Sequence, residues 1–432
     1  MNKKLHLAKI IITNDNEPII NGALLLDNSK IIQVGKKEDF GNLQSDLEVI
    51  DHGESLICPG FINLHCHLLY SKAHHLNGAN GLFPWIENLI DETYKWSEKD
   101  YINSINYGID QALSQGTIYI VENTPNHLSA SELSKSSLKS MIGIEIVGSE
   151  ELDAKNIFLE AQENLNTLEG QFKNIDFTFS PHAPYDVSMP LWKELIHWSC
   201  KYKKPLLTHL EESPEEKLWW QKKSGMAINL WKKINKLEPK LKYWKQYESS
   251  IDFLYKNKLL NENVIAAHLS QANKEDLKKL NEHNVKLVHC PRSNFYLNNG
   301  TANLQLWNEM GFLWGMGTDS IASNDNLNLL EEIKFAINQQ KIVYNSKLSA
   351  RDVFKSITSN AAKVISKDLL LGQIKKGYLA DFLVYDLQDK SACTYKDPYD
   401  LLIWDINNEK DLKEVWINGK RVWLAGKLLH KI

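Results

Sequence analysis

Between residues 61 and 319 the chain repeats one pattern eight times: a short apolar segment with strand character, then a longer stretch with helical spacing. The segments are Phe61 to His67, Thr117 to Asn123, Met141 to Val147, Phe177 to Pro181, Pro205 to Leu210, Val264 to Leu269, Val285 to Cys290 and Leu313 to Asp319. Near-continuous apolar runs alternating with helices predict a parallel sheet buried on both faces. Eight such units predict a closed (β/α)8 barrel, an α/β fold whose chemistry lies at the C-terminal ends of its strands.

Those ends carry an unusual set of residues. The first segment finishes in His65-Cys66-His67, and residues two apart on a strand face the same side. The later ends hold His182, His209 with Glu211-Glu212, His268, His289 and Asp319. A lone histidine at a strand end is more often an ordinary hydrogen bonder than a ligand. Five strand ends with histidine and one with aspartate instead predict a divalent-metal site, since imidazole and carboxylate suit zinc, iron or manganese.

The flanks of the barrel segment read differently. Residues 1–57 hold short strands separated by turns such as Asp27-Asn28-Ser29, and the same texture resumes in Tyr378 to Asp386 and Val415 to Val422. The two chain ends are therefore expected to form one β-sandwich-like domain, from residues 1–57 and 372–432, around a catalytic barrel at 58–371.

Composition narrows the function. A net charge of −4 gives no reason to expect nucleic acid or an anionic membrane as partner. Five cysteines without a CxxC pair argue against a disulfide framework, and no signal peptide is read at the N-terminus, so a cytoplasmic location is expected. No uninterrupted apolar run approaches membrane-spanning length.

The motifs PGFINLHCH, SPHAPY, THLEES, AAHLS, VHCPRSN and GTDSIASN, with the late GYLADFLVYD and VWINGKRV, resemble the amidohydrolase superfamily over essentially the whole chain. Within it the chain is similar to the branch of adenosine-type deaminases and triazine chlorohydrolases. The resemblance implies that His65, His67, His209 and Asp319 hold one divalent metal ion, with zinc first and iron or manganese as alternatives. It implies that Glu212 shuttles protons, that His268 lies beside the attacking water, that Asp319 accepts a proton from that water, and that His182 contacts the substrate. The fourth barrel segment has no lysine to bridge a second metal, so a mononuclear site is implied.

VHCPRSN and GTDSIASN look most like the aminodeoxyfutalosine deaminases of menaquinone biosynthesis. The expected substrate is thus a small adenine-bearing nucleoside, 6-amino-6-deoxyfutalosine, deaminated hydrolytically at a ring carbon. The alternatives are 5'-methylthioadenosine or S-adenosylhomocysteine deamination and triazine dechlorination; a non-enzymatic scaffold fits poorly with an intact ligand set. The methylthioadenosine enzymes have a ribose-binding glutamate after the HxH pair, and here Glu87 and Glu92 miss the expected spacing.

Three features bear on specificity. Arg292 is a candidate to pair with a substrate carboxylate, or to tie its own loop to a neighbour. His74 and His75 with Lys72 are a competing anion site or a solvated surface. The insertion 215–256 carries Trp219, Trp220, Trp231, Tyr243, Trp244 and Tyr247 among lysines. It is expected to pack on the barrel, with a lid over the substrate or an interface between copies of the chain as further readings.

Overall fold

The computed structural model describes residues 3–76, 78–222, 247–388, 390 and 395–429, with side chains 42–46 and 222 left aside. Eight parallel strands run in sequence around a barrel: β6 (Phe61–Cys66), β7 (Thr117–Thr124), β8 (Lys139–Ile146), β9 (Asp176–Pro181), β10 (Leu206–Leu210), β11 (Val264–His268), β12 (Lys286–His289) and β13 (Trp314–Met316). Each pairs with its sequence neighbour in parallel register. The eight segments nominated from apolar spacing are thus the eight barrel strands, with ends that coincide or differ by at most three residues.

The strands read as continuous apolar runs because they are covered on both sides. Inside and outside, Ile62, Ile120, Ile142, Phe179, Leu207 and Ile265 are buried. Helices such as Glu98–Ser114 and Lys274–Glu282 clad the outside. Ser97 and Asn273 cap their N-termini by accepting backbone N–H groups, a feature their sequences carry as capping boxes.

First and last strands meet without a regular ladder. At the lower part of the seam the carbonyls of Ile357 and Ser356 accept from Ile62 N–H at 2.8 Å and Met316 N–H at 3.0 Å. Above, the Asn63 amide exchanges hydrogen bonds with Thr318 Oγ1 at 2.7 Å and Thr318 N–H at 3.1 Å. Asp319 N–H then donates to the His65 carbonyl at 3.0 Å. Gly317 permits this approach: a Cβ there would lie 2.6 Å from the His65 Cβ and 2.7 Å from its backbone nitrogen.

Both chain ends build a second, nine-stranded mixed sheet. It contains β1 (Lys3–Ile11), β2 (Ile19–Asp27), β3 (Lys30–Lys36), β4 (Glu48–Asp51), β5 (Ser55–Pro59), β14 (Phe382–Asp386), β15 (Leu412–Ile417), β16 (Lys420–Leu424) and β17 (Lys427–Leu428). The order is β17-β16-β15-β14-β5-β1-β2-β3, with β4 beside β1. The join between the two chain ends is β14 lying antiparallel to β5. Ile11, Leu24, Ile57, Phe382 and Trp416 share one apolar cluster and Leu5, Leu7, Ala23, Leu25 and Phe40 another. No described helix is long and apolar enough to cross a membrane.

Candidate metal centre and substrate cavity

The barrel strands deliver their terminal side chains to one point. His65 on β6, His67 just beyond it, His209 on β10 and Asp319 after β13 are all buried. His67 Nε2 lies 3.3 Å from His209 Nε2, and Asp319 Oδ1 lies 3.7 Å from His65 Nε2 and 3.6 Å from His67 Nε2. A tetrahedral ion with ligand bonds of ~2.1 Å needs donor atoms about 3.4 Å apart, so the spacing fits.

Outer contacts aim these donors inward. His67 Nδ1 donates to the Asn123 carbonyl at 3.1 Å, and His209 Nδ1 to the His182 carbonyl at 2.8 Å. Each ring therefore presents Nε2 to the centre with its lone pair free. His65 Nδ1 lies 3.1 Å from the Asn123 amide, while its Nε2 is buried without a hydrogen-bond partner. An orphaned imidazole nitrogen among three other donors is what a metal ligand looks like before the ion is considered. Two overlapping triads, His65–His67–Asp319 and His65–His209–His268, meet ligand spacing.

Electrostatics support the same arrangement. Burial first, and then the neighbouring imidazoles, push the proton affinities of His65 and His209 well down, keeping both rings neutral as ligands must be. Burial pushes the Asp319 carboxyl up, but His67, His65, His268 and the Ser293 hydroxyl outweigh it and hold it below the usual carboxylate range.

Next to these donors stand two more groups. His268 donates from Nδ1 to Asn294 Oδ1 at 2.8 Å, so its Nε2 faces inward, 3.7 Å from Glu212 Oε2. Glu212 Oε1 accepts from Asn299 at 3.0 Å, and its backbone N–H donates to Glu216 Oε2 at 2.8 Å. Burial raises the Glu212 carboxyl above its ordinary range, against the opposing pull of His268. Glu211, His268 and Asp319 all hold left-handed φ values, of 48°, 76° and 58°. Such backbone costs on the order of 1–3 kcal/mol per residue and gathers where function demands it.

A cavity of about 410 Å³ opens from this centre. His67, His209, His268, Glu212 and Asp319 form its floor, and Leu82, Trp85, Ile86, Leu89 and Ile90 of the helix Leu82–Thr93 form an apolar wall. His182 stands at the side between them. Its Nδ1 meets Asp186 Oδ2 at 2.5 Å and its Nε2 approaches Glu145 Oε1 at 3.6 Å. Burial opposes its charge, but Asp186, Glu145 and Glu212 prevail and push its pKa up to about 10.

Residues 56–422 match the amidohydrolase family. The chain belongs to that family. It is an enzyme of hydrolytic type, and the relatives it resembles are deaminases. It is 26% identical over 430 residues to the 5-methylthioadenosine/S-adenosylhomocysteine deaminase of Pyrococcus furiosus, covering 97% of this chain and 95% of the relative. Among solved structures, Helicobacter pylori aminofutalosine deaminase superposes with a TM-score of 0.82 at 22% identity, over 98% of this chain and all of that one. A zinc-bound adenosine deaminase from Xanthomonas campestris gives 0.79 at 20% identity, over 99% of this chain and 94% of the other. At these identities the two structures speak to the fold.

In this amidohydrolase the structure brings together His65, His67, His182, His209, Glu212, His268 and Asp319. It does not bring Arg292 to them. The guanidinium lies 3.1 Å from Asp325 Oδ2 and 3.1 Å from Glu331 Oε2, its backbone N–H donates to Glu332 at 3.1 Å, and it does not line the cavity. Of the two sequence readings, the loop tie is the one present. Lys72, His74 and His75 are exposed. Trp219 and Trp220 are buried and Trp220 stacks on Phe253 at 5.3 Å, as packing requires; Trp231, Tyr243 and Trp244 lie outside the described residues.

Sequence reading passed over the partners that orient the site. Asn299 carries no motif or spacing signal, whereas Asn123 ends the second strand segment and Ser323 lies in GTDSIASN, four residues after Asp319. Ser293 and Asn294 sit within the VHCPRSN motif, and Asp186 follows His182 by four residues, so both were within reach. Glu145 stands out only as the one charged position in the segment Met141 to Val147.

Proposed function

We propose that this amidohydrolase is a metal-dependent deaminase of an adenine-bearing nucleoside with an apolar 5' substituent, in the manner of 5'-methylthioadenosine. The observation that carries this reading is the two-ended cavity: a donor cluster with a buried carboxyl at the floor, and an apolar helix face above it. The identity to a methylthioadenosine/S-adenosylhomocysteine deaminase along nearly the whole chain supports it.

His65, His67, His209 and Asp319 would hold the ion, with zinc, iron or manganese all compatible with the donor set. When bound, such an ion supplies Lewis acidity and a water whose pKa falls to about 7. The residues do the rest. Glu212, buried and with a raised proton affinity, can hold a proton on Oε2 and deliver it to a ring nitrogen. Water adds at the amine-bearing carbon and gives one proton to Asp319; that proton passes to the amine, the C–N bond breaks, ammonia leaves, and the remaining hydroxyl proton returns to Glu212 as the carbonyl forms. His268 Nε2 orients the attacking oxygen, and Asp319, kept ionised, accepts its proton through a carboxylate oxygen. His182 reaches the substrate from the side.

Deamination of 6-amino-6-deoxyfutalosine is the second reading, supported by the likeness in fold to an aminofutalosine deaminase that has also been seen with methylthio-coformycin. That substrate carries a carboxylate. Among the described residues lining the cavity the basic side chains are histidines, and Arg292 points elsewhere. The apolar reading therefore ranks first.

An ammonia-release assay on the metal-loaded chain decides between them. The expected order is 5'-methylthioadenosine ahead of adenosine and aminodeoxyfutalosine, with guanine and chlorotriazines inert. A preference for guanine or a triazine would overturn the nucleoside assignment, and a preference for aminodeoxyfutalosine would reverse the ranking.

A further inference from the structure

We propose that Glu145 is a specificity-determining residue that accepts the two hydroxyls of the substrate's ribose diol. The proposal rests on the nucleoside reading above and adds to it the residue that recognises the sugar.

Among the described residues four carboxylates face the cavity, and three are engaged. Asp319 faces His65 and His67 and accepts from Ser293 and Ser323. Glu212 accepts from Asn299. Asp186 meets His182 through one oxygen and accepts the Ala183 N–H at 3.1 Å through the other. Glu145 is different. Its side chain is only 13% exposed, its nearest cationic neighbour is His182 Nε2 at 3.6 Å, and among the described residues it accepts no hydrogen bond. A partly buried carboxylate facing the cavity with no protein donor on either oxygen is free to accept the donors a ligand brings. Two adjacent hydroxyls match two carboxylate oxygens as a bidentate pair.

Position agrees with chemistry. Glu145 lies on β8, His182 follows β9 and His209 lies on β10, three neighbouring strands, with the His182 ring 4.8 Å from the His209 ring and its Nε2 3.6 Å from Glu145. A purine with its amine-bearing carbon over the cluster holds its sugar on the opposite edge of the ring system, away from the donors, and Glu145 is a cavity carboxylate set back from them. Glu87 and Glu92, on the helix forming the apolar wall, do not line the cavity, and Glu92 pairs with Lys95 at 3.6 Å.

The competing role for Glu145 is to steady His182, and one experiment separates the two. Adenosine and 2',3'-dideoxyadenosine are compared in the metal-loaded full-length wild type, Glu145→Ala and Glu145→Gln, with metal content and thermal midpoint recorded for each. Lost charged hydrogen bonds to a substrate hydroxyl predict that kcat/KM for adenosine falls ~10–100-fold in Glu145→Ala, mostly through KM. Turnover of the dideoxy analogue should stay within about twofold, so that the wild-type preference for the diol collapses, with Glu145→Gln between. As a reading free of turnover, the affinity for the product inosine should fall in Glu145→Ala while that for 2',3'-dideoxyinosine holds. A parallel loss on both substrates, or no loss on either, overturns the proposal while leaving the nucleoside reading standing. Wild-type enzyme that deaminates no nucleoside overturns both.

Discussion

Ser293 Oγ donates to Asp319 Oδ2 at 2.6 Å, which leaves Oδ1 as the oxygen facing His65 and His67. Ser323 Oγ adds a second bond to Oδ2 at 2.9 Å. The two hydroxyls decide which oxygen is offered to an ion. Replacing both by alanine should weaken metal affinity ~10–100-fold, as loss of such outer partners does elsewhere. Competition with a chelator of known affinity measures it; unchanged affinity would show the carboxylate needs no such help.

Removing the ion should lower the thermal midpoint as well as stop turnover, because a ligand bound only by the folded chain stabilises it by mass action. Dialysis against chelator followed by calorimetry, then titration with zinc, iron or manganese, tests this. A midpoint indifferent to metal would argue that the donor cluster binds nothing tightly.

Glu212→Gln should fold, keep its metal and bind substrate with little change, while kcat falls ~10²–10⁴-fold, the usual worth of a general acid–base group. The amide still satisfies Asn299 through its oxygen, so the loss isolates proton transfer. Near-normal kcat would remove Glu212 from the mechanism.

Arg292→Ala distinguishes a loop tie from a substrate contact. Glu332 is fully buried beside the guanidinium, which lies 3.7 Å away, and burial pushes the pKa of that carboxyl up to about 7 even with Arg292 present. Deleting one partner of a buried pair costs ~3–5 kcal/mol. Stability should therefore drop while KM on any substrate stays put. A raised KM with unchanged stability would restore Arg292 to the binding site.

His6 sets an acid limit on the second sheet. Burial first, then His52, lowers its pKa to about 3 from 6.5. The folded state keeps it neutral while the unfolded chain takes up a proton below about pH 6.5. Its contribution is complete above that pH and is lost as pH falls toward 3, by several kcal/mol in all. His6→Phe, which keeps the edge contacts to Phe382 and Trp416, should lose less stability than wild type between pH 7 and pH 4.5 in urea titrations. Equal slopes would mean His6 is already charged in the fold.

The barrel was legible because parallel strands covered on both faces leave long apolar runs, and the donor cluster because a His-x-His pair on a strand has only one face to share. The second sheet's strand Ser55–Pro59 was harder to see. It adjoins the first barrel strand with only Gly60 between, so its apolar residues merge with PGFINLHCH in sequence. Arg292 was ambiguous for a physical reason. Its acidic partners Asp325, Glu331 and Glu332 lie 33 to 40 positions on, and only packing turns the side chain toward them rather than into the cavity. Glu145 looks like one polar position in an apolar strand, and its acceptor role depends on which groups the other carboxylates have already taken.

The seam between β6 and β13 has a consequence for how the enzyme comes into being. Two donors stand on its first side and Asp319 on its last, separated by the whole length of the barrel segment. A growing chain holds no complete ligand set until residue 319 has joined the edge begun at residue 61. Any ion that then bridges the edges acts as a clasp on a ring otherwise held there by Asn63, Thr318 and the close pass at Gly317. The complete ligand set is thus available only once the two edges have met, and an ion bound there would add to the protein bonds that already hold the seam.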